Sequence, residues 1–177
     1  MPLASVMNHV RNAVDDMVFP TGLTFDGTNQ VPNLQAHIIA PYGTTVSDGP
    51  HAFVWGGTLH RERQTMGGPR TQQVGTPGAP FHTLSHRVDV LIRYALPLKL
   101  RNADSCFPSI IDSVVEFLAG IPMNVSITDP LTSRPSTIQL IGEEFDVTYG
   151  QVYAVTDGRY GLFGAKIVMP VLEKIQQ

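Results

Sequence analysis

Between Arg87 and Tyr94 the sequence alternates without a break. Val88, Val90, Ile92 and Tyr94 fall on one side, and Arg87, Asp89, Leu91 and Arg93 on the other. A period of two belongs to a strand, because successive side chains leave a pleated backbone on opposite faces. One face here is apolar and the other mostly charged. Such a strand has one face that must bury against an apolar layer from elsewhere in the chain. Pro97 ends the run.

Two amphipathic helices can provide that layer. Leu3, Val6, Met7, Val10, Val14 and Met17 recur at the spacing that lines one helical face, while Asn8, Arg11, Asn12 and Asp15 fall elsewhere. Pro20 and Gly22 stop this first helix. Asp15 and Asp16 lie in its last turn, where they oppose the helix dipole, so they are expected to face a specific donor or water. The second helix follows Pro97, with Asp104 or Ser105 as N-cap and Pro108 in the first turn. Phe107, Ile110, Ile111, Val114, Val115 and Leu118 form its buried stripe, and Gly120 and Pro122 close it.

The remaining elements read as strands. Residues 21–35 are a loop; Ala36–Ala40 and Ala52–Trp55 are short strands, with Trp55 assigned to the core. Thr137–Ile141 is another strand, and Val147–Thr156 another, interrupted at Gly150. Asp157-Gly158 is a hairpin turn, and Leu162–Leu172 returns, with Gly164 suggesting a bulge and Pro170 an edge position. Helices are too few to alternate with strands. The expected fold is therefore α+β, a mostly antiparallel sheet flanked by two amphipathic helices. With 177 residues, 42% of them hydrophobic, the chain is expected to form one domain spanning 1–177.

One stretch breaks this pattern. From Leu59 to Phe81 there is almost no apolar residue, but many Gly, Pro, Thr, Gln and Arg. A structureless loop of this length is uncommon inside a domain. It reads as a projecting arm at about 59–81, or as an extended hairpin that orders on a partner. Charge is also segregated. Residues 51–101 carry Arg61, Arg63, Arg70, Arg87, Arg93, Lys99 and Arg101 against Glu62 and Asp89. Residues 102–158 carry Asp104, Asp112, Glu116, Asp129, Glu143, Glu144, Asp146 and Asp157 against Arg134. Two readings fit: solvated faces that happen to segregate, or subunits whose basic surface meets a neighbour's acidic one.

A search for chemistry finds little. There is no phosphate-cradling P-loop, dinucleotide fingerprint, His-Glu-x-x-His, EF-hand or Gly-x-Ser-x-Gly elbow. Cys106 is the only cysteine, so no intrachain disulfide forms, and beside Phe107 and Pro108 it reads as packing. His51, His60, His82 and His86 are the one cluster that could bind a metal and serve a hydrolase. Pro77 and Pro80 disfavour a helix there, and His86 leads into a strand, so loop histidines without a chemical role are the simpler reading. No metal, cofactor or catalytic residue is expected. The arm's arginines lack the interleaved aromatics of a single-strand binder, and the net charge of −3 carries no nucleic-acid signature. No apolar run approaches a membrane span, and Met1-Pro2-Leu3-Ala4 lacks the features of a secretory signal.

Three pieces together resemble the lambda-type tail-terminator (neck) family of long-tailed bacteriophages. They are the helix Leu3–Met17 before a Pro/Gly-rich lead-in, the strand–helix unit His86–Leu96 with Ser109–Leu118, and the β-rich last third through Val171. The resemblance covers most of the chain as a pattern of elements, not as a signature motif. It implies a non-enzymatic virion protein, made in the host cytoplasm, that forms a hexameric ring at the head-proximal end of the tail tube. The ring would end tube polymerisation and dock the head connector or stopper protein, with DNA passing through the lumen unread. Another head–tail connector or head-closure subunit is the neighbouring alternative, and the histidine-ligated hydrolase the alternative of a different class. The expected contact residues are Arg61, Arg63 and Arg70 on the arm and Arg87, Asp89 and Arg93 on the charged strand face.

Overall fold

The computed structural model describes residues 2–38, 49–56, 60–62, 81–97, 103–120, 125–128, 135–140, 145–155 and 158–176. In chain order the elements are α1 (Pro2–Asp15), β1 (Gln35–Ile38), β2 (His51–Gly56), β3 (His60–Glu62), β4 (Phe81–Pro97), α2 (Ala103–Ala119), β5 (Val125–Thr128), β6 (Pro135–Leu140), β7 (Asp146–Tyr149), β8 (Tyr153–Val155) and β9 (Tyr160–Gln176). The alternating strand read at 87–94 is the middle of β4, which runs for 17 residues. β9 matches it in length and pairs with it antiparallel, without a slip, from Phe81–Gln176 to Pro97–Tyr160. At the usual rise these two strands form a ribbon roughly 55 Å long.

Everything else in the sheet attaches to this ribbon. On the β4 side lie β2 and then β1, and β3 pairs Thr83–Ser85 further along. On the far side of β9, three short strands follow one another along its length. β6 covers positions 171–175 with β5 outside it, β7 covers 165–168, and β8 covers 160–162. Only β1–β2 is parallel among the described pairings. The α+β class therefore stands, with a mixed sheet that is mostly antiparallel.

Side-chain alternation along the ribbon decides where the core sits. Val88, Val90, Ile92, Tyr94 and Leu96 of β4, with Phe163, Ala165, Ile167, Met169 and Val171 of β9, face the two helices. α1 contributes Val6, Val10 and Val14, and α2 contributes Phe107, Ile110, Ile111, Val114 and Leu118, all buried. Met17, Phe19, Val31 and Leu34 close the same core from the loop after α1. Asp26 holds that loop's tip, its carboxylate accepting the backbone N–H groups of Thr28 and Asn29.

Several expectations change. Gly164 makes no bulge, because the β4–β9 register runs straight through it. Pro170 is not on an edge strand: β9 is central. It sits where the far-side partner changes, after β6 ends at Leu140–Val171 and before β7 begins at Asp146–Val168. A residue without an N–H is tolerated where the ladder is already broken. Pro108 lies beyond the first turn, since α2 already begins at Ala103, so Asp104 and Ser105 are helical and not caps. Its missing N–H removes the bond to the Asp104 carbonyl. Trp55 is half-buried on the sheet face away from the helices, not in the core. β5 and β3 were not foreseen as strands. Of the arm, the start (His60–Glu62) pairs with β4 as a hairpin would, and residues 63–80 lie outside the described residues.

Asp15 does face a donor. Its Oδ1 accepts the Ala36 N–H at 2.9 Å, while the adjacent Gln35 N–H bonds to the Pro50 carbonyl. Ala36 thus directs its N–H away from β2, and the end of α1 covers one donor of the edge strand β1. Asp15→Ala is expected to lower the unfolding free energy by about 1 kcal/mol in urea titrations. His9 is the other polar side chain of α1 set against the core. Its Nε2 is buried without a hydrogen-bond partner among the described residues, and burial pushes its imidazole below the ordinary 6.5. A depressed folded value means the unfolded chain takes up the proton first as pH falls. Stability should therefore be full above pH 6.5 and decline as pH drops below it, and His9→Leu should flatten that slope.

Candidate functional site

The helices cover one face of the sheet. The opposite face carries the other half of every alternating strand, and no described element lies over it. Register sets its side chains in rows. Trp55, Asp89, Val168 and Asp146 form one row; Phe53, Leu91, Lys166 and Thr148 form the next; His51, Arg93 and Gly164 form a third.

Asp89 is 7% exposed although it lies on this face. Its Oδ1 accepts from Arg87 Nε at 3.1 Å, and its Oδ2 lies 3.8 Å from Lys166 Nζ. One carboxylate therefore serves two cations from neighbouring strands. Arg93 forms no ion pair among the described residues. Lys166 shares Asp89 with the closer Arg87.

Beside these cations the face dips into a cleft of about 310 Å³. Leu91 and Leu162 give it an apolar floor, and Arg93, Lys166, Gln151 and Tyr153 stand around it. Gly164 and Gly150 explain the hollow. Gly164 takes the place across from Arg93 where any side chain would fill the space. Gly150 donates its N–H to the Gly164 carbonyl at 2.8 Å, and a Cβ there would come to 3.4 Å from that oxygen. Among the described residues the lining contains no carboxylate; Asp146 borders it from the next row. The cleft suits an anionic group.

The β7–β8 margin is the second unusual feature. Val147, Tyr149, Val152, Tyr153 and Tyr160 are all exposed, from 37% to 61%. Val147 and Tyr149 point to the helix side, where the Tyr149 ring meets Phe107 edge-on at 6.3 Å. Burial and then the nearby Asp112 carboxylate push the Tyr149 hydroxyl above its ordinary value. β7 has β9 on one side and no described strand on the other, so its outer hydrogen-bonding groups border a strip of apolar surface. Exposed edges of this kind are where other chains add.

The expected contact residues divide. Arg87, Asp89 and Arg93 share the face of β4 turned away from the helices, with Asp89 held by Arg87 and Lys166. Arg61 lies on β3 across from Leu84, and Arg63 and Arg70 lie outside the described residues. His51 and His86 do not converge. His51 sits on β2 opposite Arg93, while His86 is buried on the core face seven residues along β4. His82 and His86 are four residues apart on one strand, a separation of about 13 Å. His51 instead meets His37, which the sequence reading passed over, with Nε2 of His37 and Nδ1 of His51 3.2 Å apart. The ring centroids lie 5.4 Å apart, and the two facing nitrogens share one N–H···N bond. Those nitrogens are turned to each other, not to a common metal centre. No group of three possible metal ligands occurs among the described residues. Cys106 is buried, and burial pushes its thiol up, away from a reactive thiolate. Burial first, and Cys106 second, push Tyr94 up to about 12.

Lys166 and Tyr153 were missed as well. The signal for Lys166 was present: Leu162, Gly164, Lys166, Val168 and Pro170 occupy the non-core phase of β9. Its neighbour Arg93 depended on a register that no single strand reveals. Asp89→Ala should lower stability by about 1–2 kcal/mol, and adding Arg87→Ala should cost little more, because the pair acts as a unit. Urea titrations of the single and double variants check this. No helix among the described residues is long and apolar enough to cross a membrane. No family model matches the sequence, and no curated protein matches it as a relative.

Proposed function

We propose that this chain is a structural subunit that assembles with its own copies, and more specifically a tail-terminator (neck) protein of a long-tailed bacteriophage. The observation that carries the assembly reading is the β7–β8 margin, where Val147 and Tyr149 on the helix side and Tyr153 on the opposite face are exposed beside a β7 edge with no described strand partner. Exposed apolar side chains beside such an edge fit a contact with another chain. The narrower reading rests on the order of elements: an N-terminal helix, the β4–α2 unit and a β-rich last third coincide with the pieces that resemble the family.

In this reading six copies close a ring on the head-proximal end of the tail tube. One face stops the tube, and the other receives the head connector. DNA passes through the lumen without base contacts, and the chain performs no reaction. The arm at 59–81, with Arg61, Arg63 and Arg70, is a further contact element toward a neighbour or a partner. A head-closure or adaptor subunit differs in which partner it holds, so the tail-tube protein is the discriminating one. The metal-dependent hydrolase draws no support from His51 and His86, which lie on opposite faces of the sheet.

The test is the particle mass by light scattering behind a sizing column, at low and high salt, with and without isolated tail tubes. The expected result is about six times the subunit mass, or a ring that forms on the tube end, weakened by salt. A chain that stays monomeric and leaves tube length unchanged overturns the reading.

A further inference from the structure

Opposite charges lie on opposite faces of this layered domain. The sheet face away from the helices holds Arg93, which has no ion pair among the described residues, and Lys166, which shares Asp89 with Arg87. The other face is formed in part by the outer side of α2. There Asp112 and Glu116 are exposed, and neither forms an ion pair among the described residues. The core lies between the two sets, so they cannot satisfy each other within one copy.

Each set has the same supplement. Tyr153, 61% exposed, stands beside the cleft with Arg93 and Lys166. Tyr149, 50% exposed, stands beside Asp112. The spacings also agree. Asp112 and Glu116 are one helical turn apart, about 6 Å along the axis. Arg93 lies opposite Gly164, so Lys166 is its diagonal neighbour across the β4–β9 pair, a separation of about 7–8 Å.

We infer that the cleft at Arg93 and Lys166 receives the Asp112–Glu116 face of α2 from a second copy of this chain. The contact joins two different surfaces, so each copy has one donor face and one acceptor face left over. Repetition gives a ring where the rotation closes and a filament where it does not. Asp89 and Asp146 border the cleft on the same face and offset part of its positive charge. This inference rests on the assembly reading above and names its contact.

Two variants of the full chain test it. Arg93→Glu with Lys166→Gln reverses the cleft without placing a carboxylate beside Asp89. Asp112→Lys with Glu116→Lys reverses the helix face. Circular dichroism and the unfolding midpoint establish that each variant folds. Sedimentation then gives the mass of wild type, each variant and an equimolar mixture, up to high protein concentration and at low salt. Each variant alone should associate at least tenfold more weakly than wild type, because like charges then face each other. The mixture should regain the wild-type mass, since each variant then offers the other its complement. A wild-type multimer unchanged by either reversal, or a mixture that stays dissociated, overturns the inference and leaves the assembly reading standing. A wild-type chain that is monomeric throughout overturns the inference as well. Multimers that follow the charge pattern but never attach to tail tubes uphold the inference and overturn the tail-terminator reading. If a reversed variant misfolds, Arg93→Gln and Asp112→Asn replace it, each with a threefold or greater weakening expected.

Discussion

The pairing of β4 with β9 is the constraint on which the molecule depends. Seventeen consecutive residue pairs in one register fix which side chains face the helices and which do not. A slip of one residue in either strand would turn its whole apolar set to the wrong side. The register is strongly specified because Val88, Val90, Ile92, Ile167 and Met169 are all fully buried. The same register sets Arg93 beside Gly164 and brings Lys166 to Asp89. Core and cleft are thus two outcomes of one alignment.

Much of this layout was legible in the residues themselves. The alternation of 87–94 showed a strand with one apolar face, and the stripes of α1 and α2 showed two amphipathic helices; that both pack on that one face was not foreseen. Pro170 and Gly164 misled because each was weighed by itself. A proline argues for an edge only when a ladder partner is required at that position, and here the partner strand changes at that point. Trp55 misled for a related reason. In an apolar run it looks like core, but the two-residue period sends Ala52 and Val54 to the helix-side core and leaves Trp55, half-buried, on the other face with the fully buried Phe53. Pro108 was displaced by the true start of α2, which begins earlier than the capping residues suggest.

The site was less legible. Charges on a strand can be assigned to a face from their phase, and Arg87, Asp89 and Arg93 were. What they do depends on the adjacent strand. Asp89 proves to be a buried junction between Arg87 and Lys166, which no pattern within β4 indicates. The histidines illustrate the opposite error. Closeness in sequence grouped His51 with His86, while the fold joined His51 to His37 on the neighbouring parallel strand.

The far side of β9 has a consequence of its own. Its partners there are three short strands in tandem, with a break at Pro170 between the first and second. β9 therefore acts as a rail that carries separate clips, each held by only a few backbone bonds. Opening one clip leaves the rail's bond to β4 intact and leaves the other clips seated. Local opening free energies should differ along the rail, as they do between units of low and high cooperativity in folded chains. A segment at β7 or β8 can thus exchange its partner while the long ribbon keeps its shape.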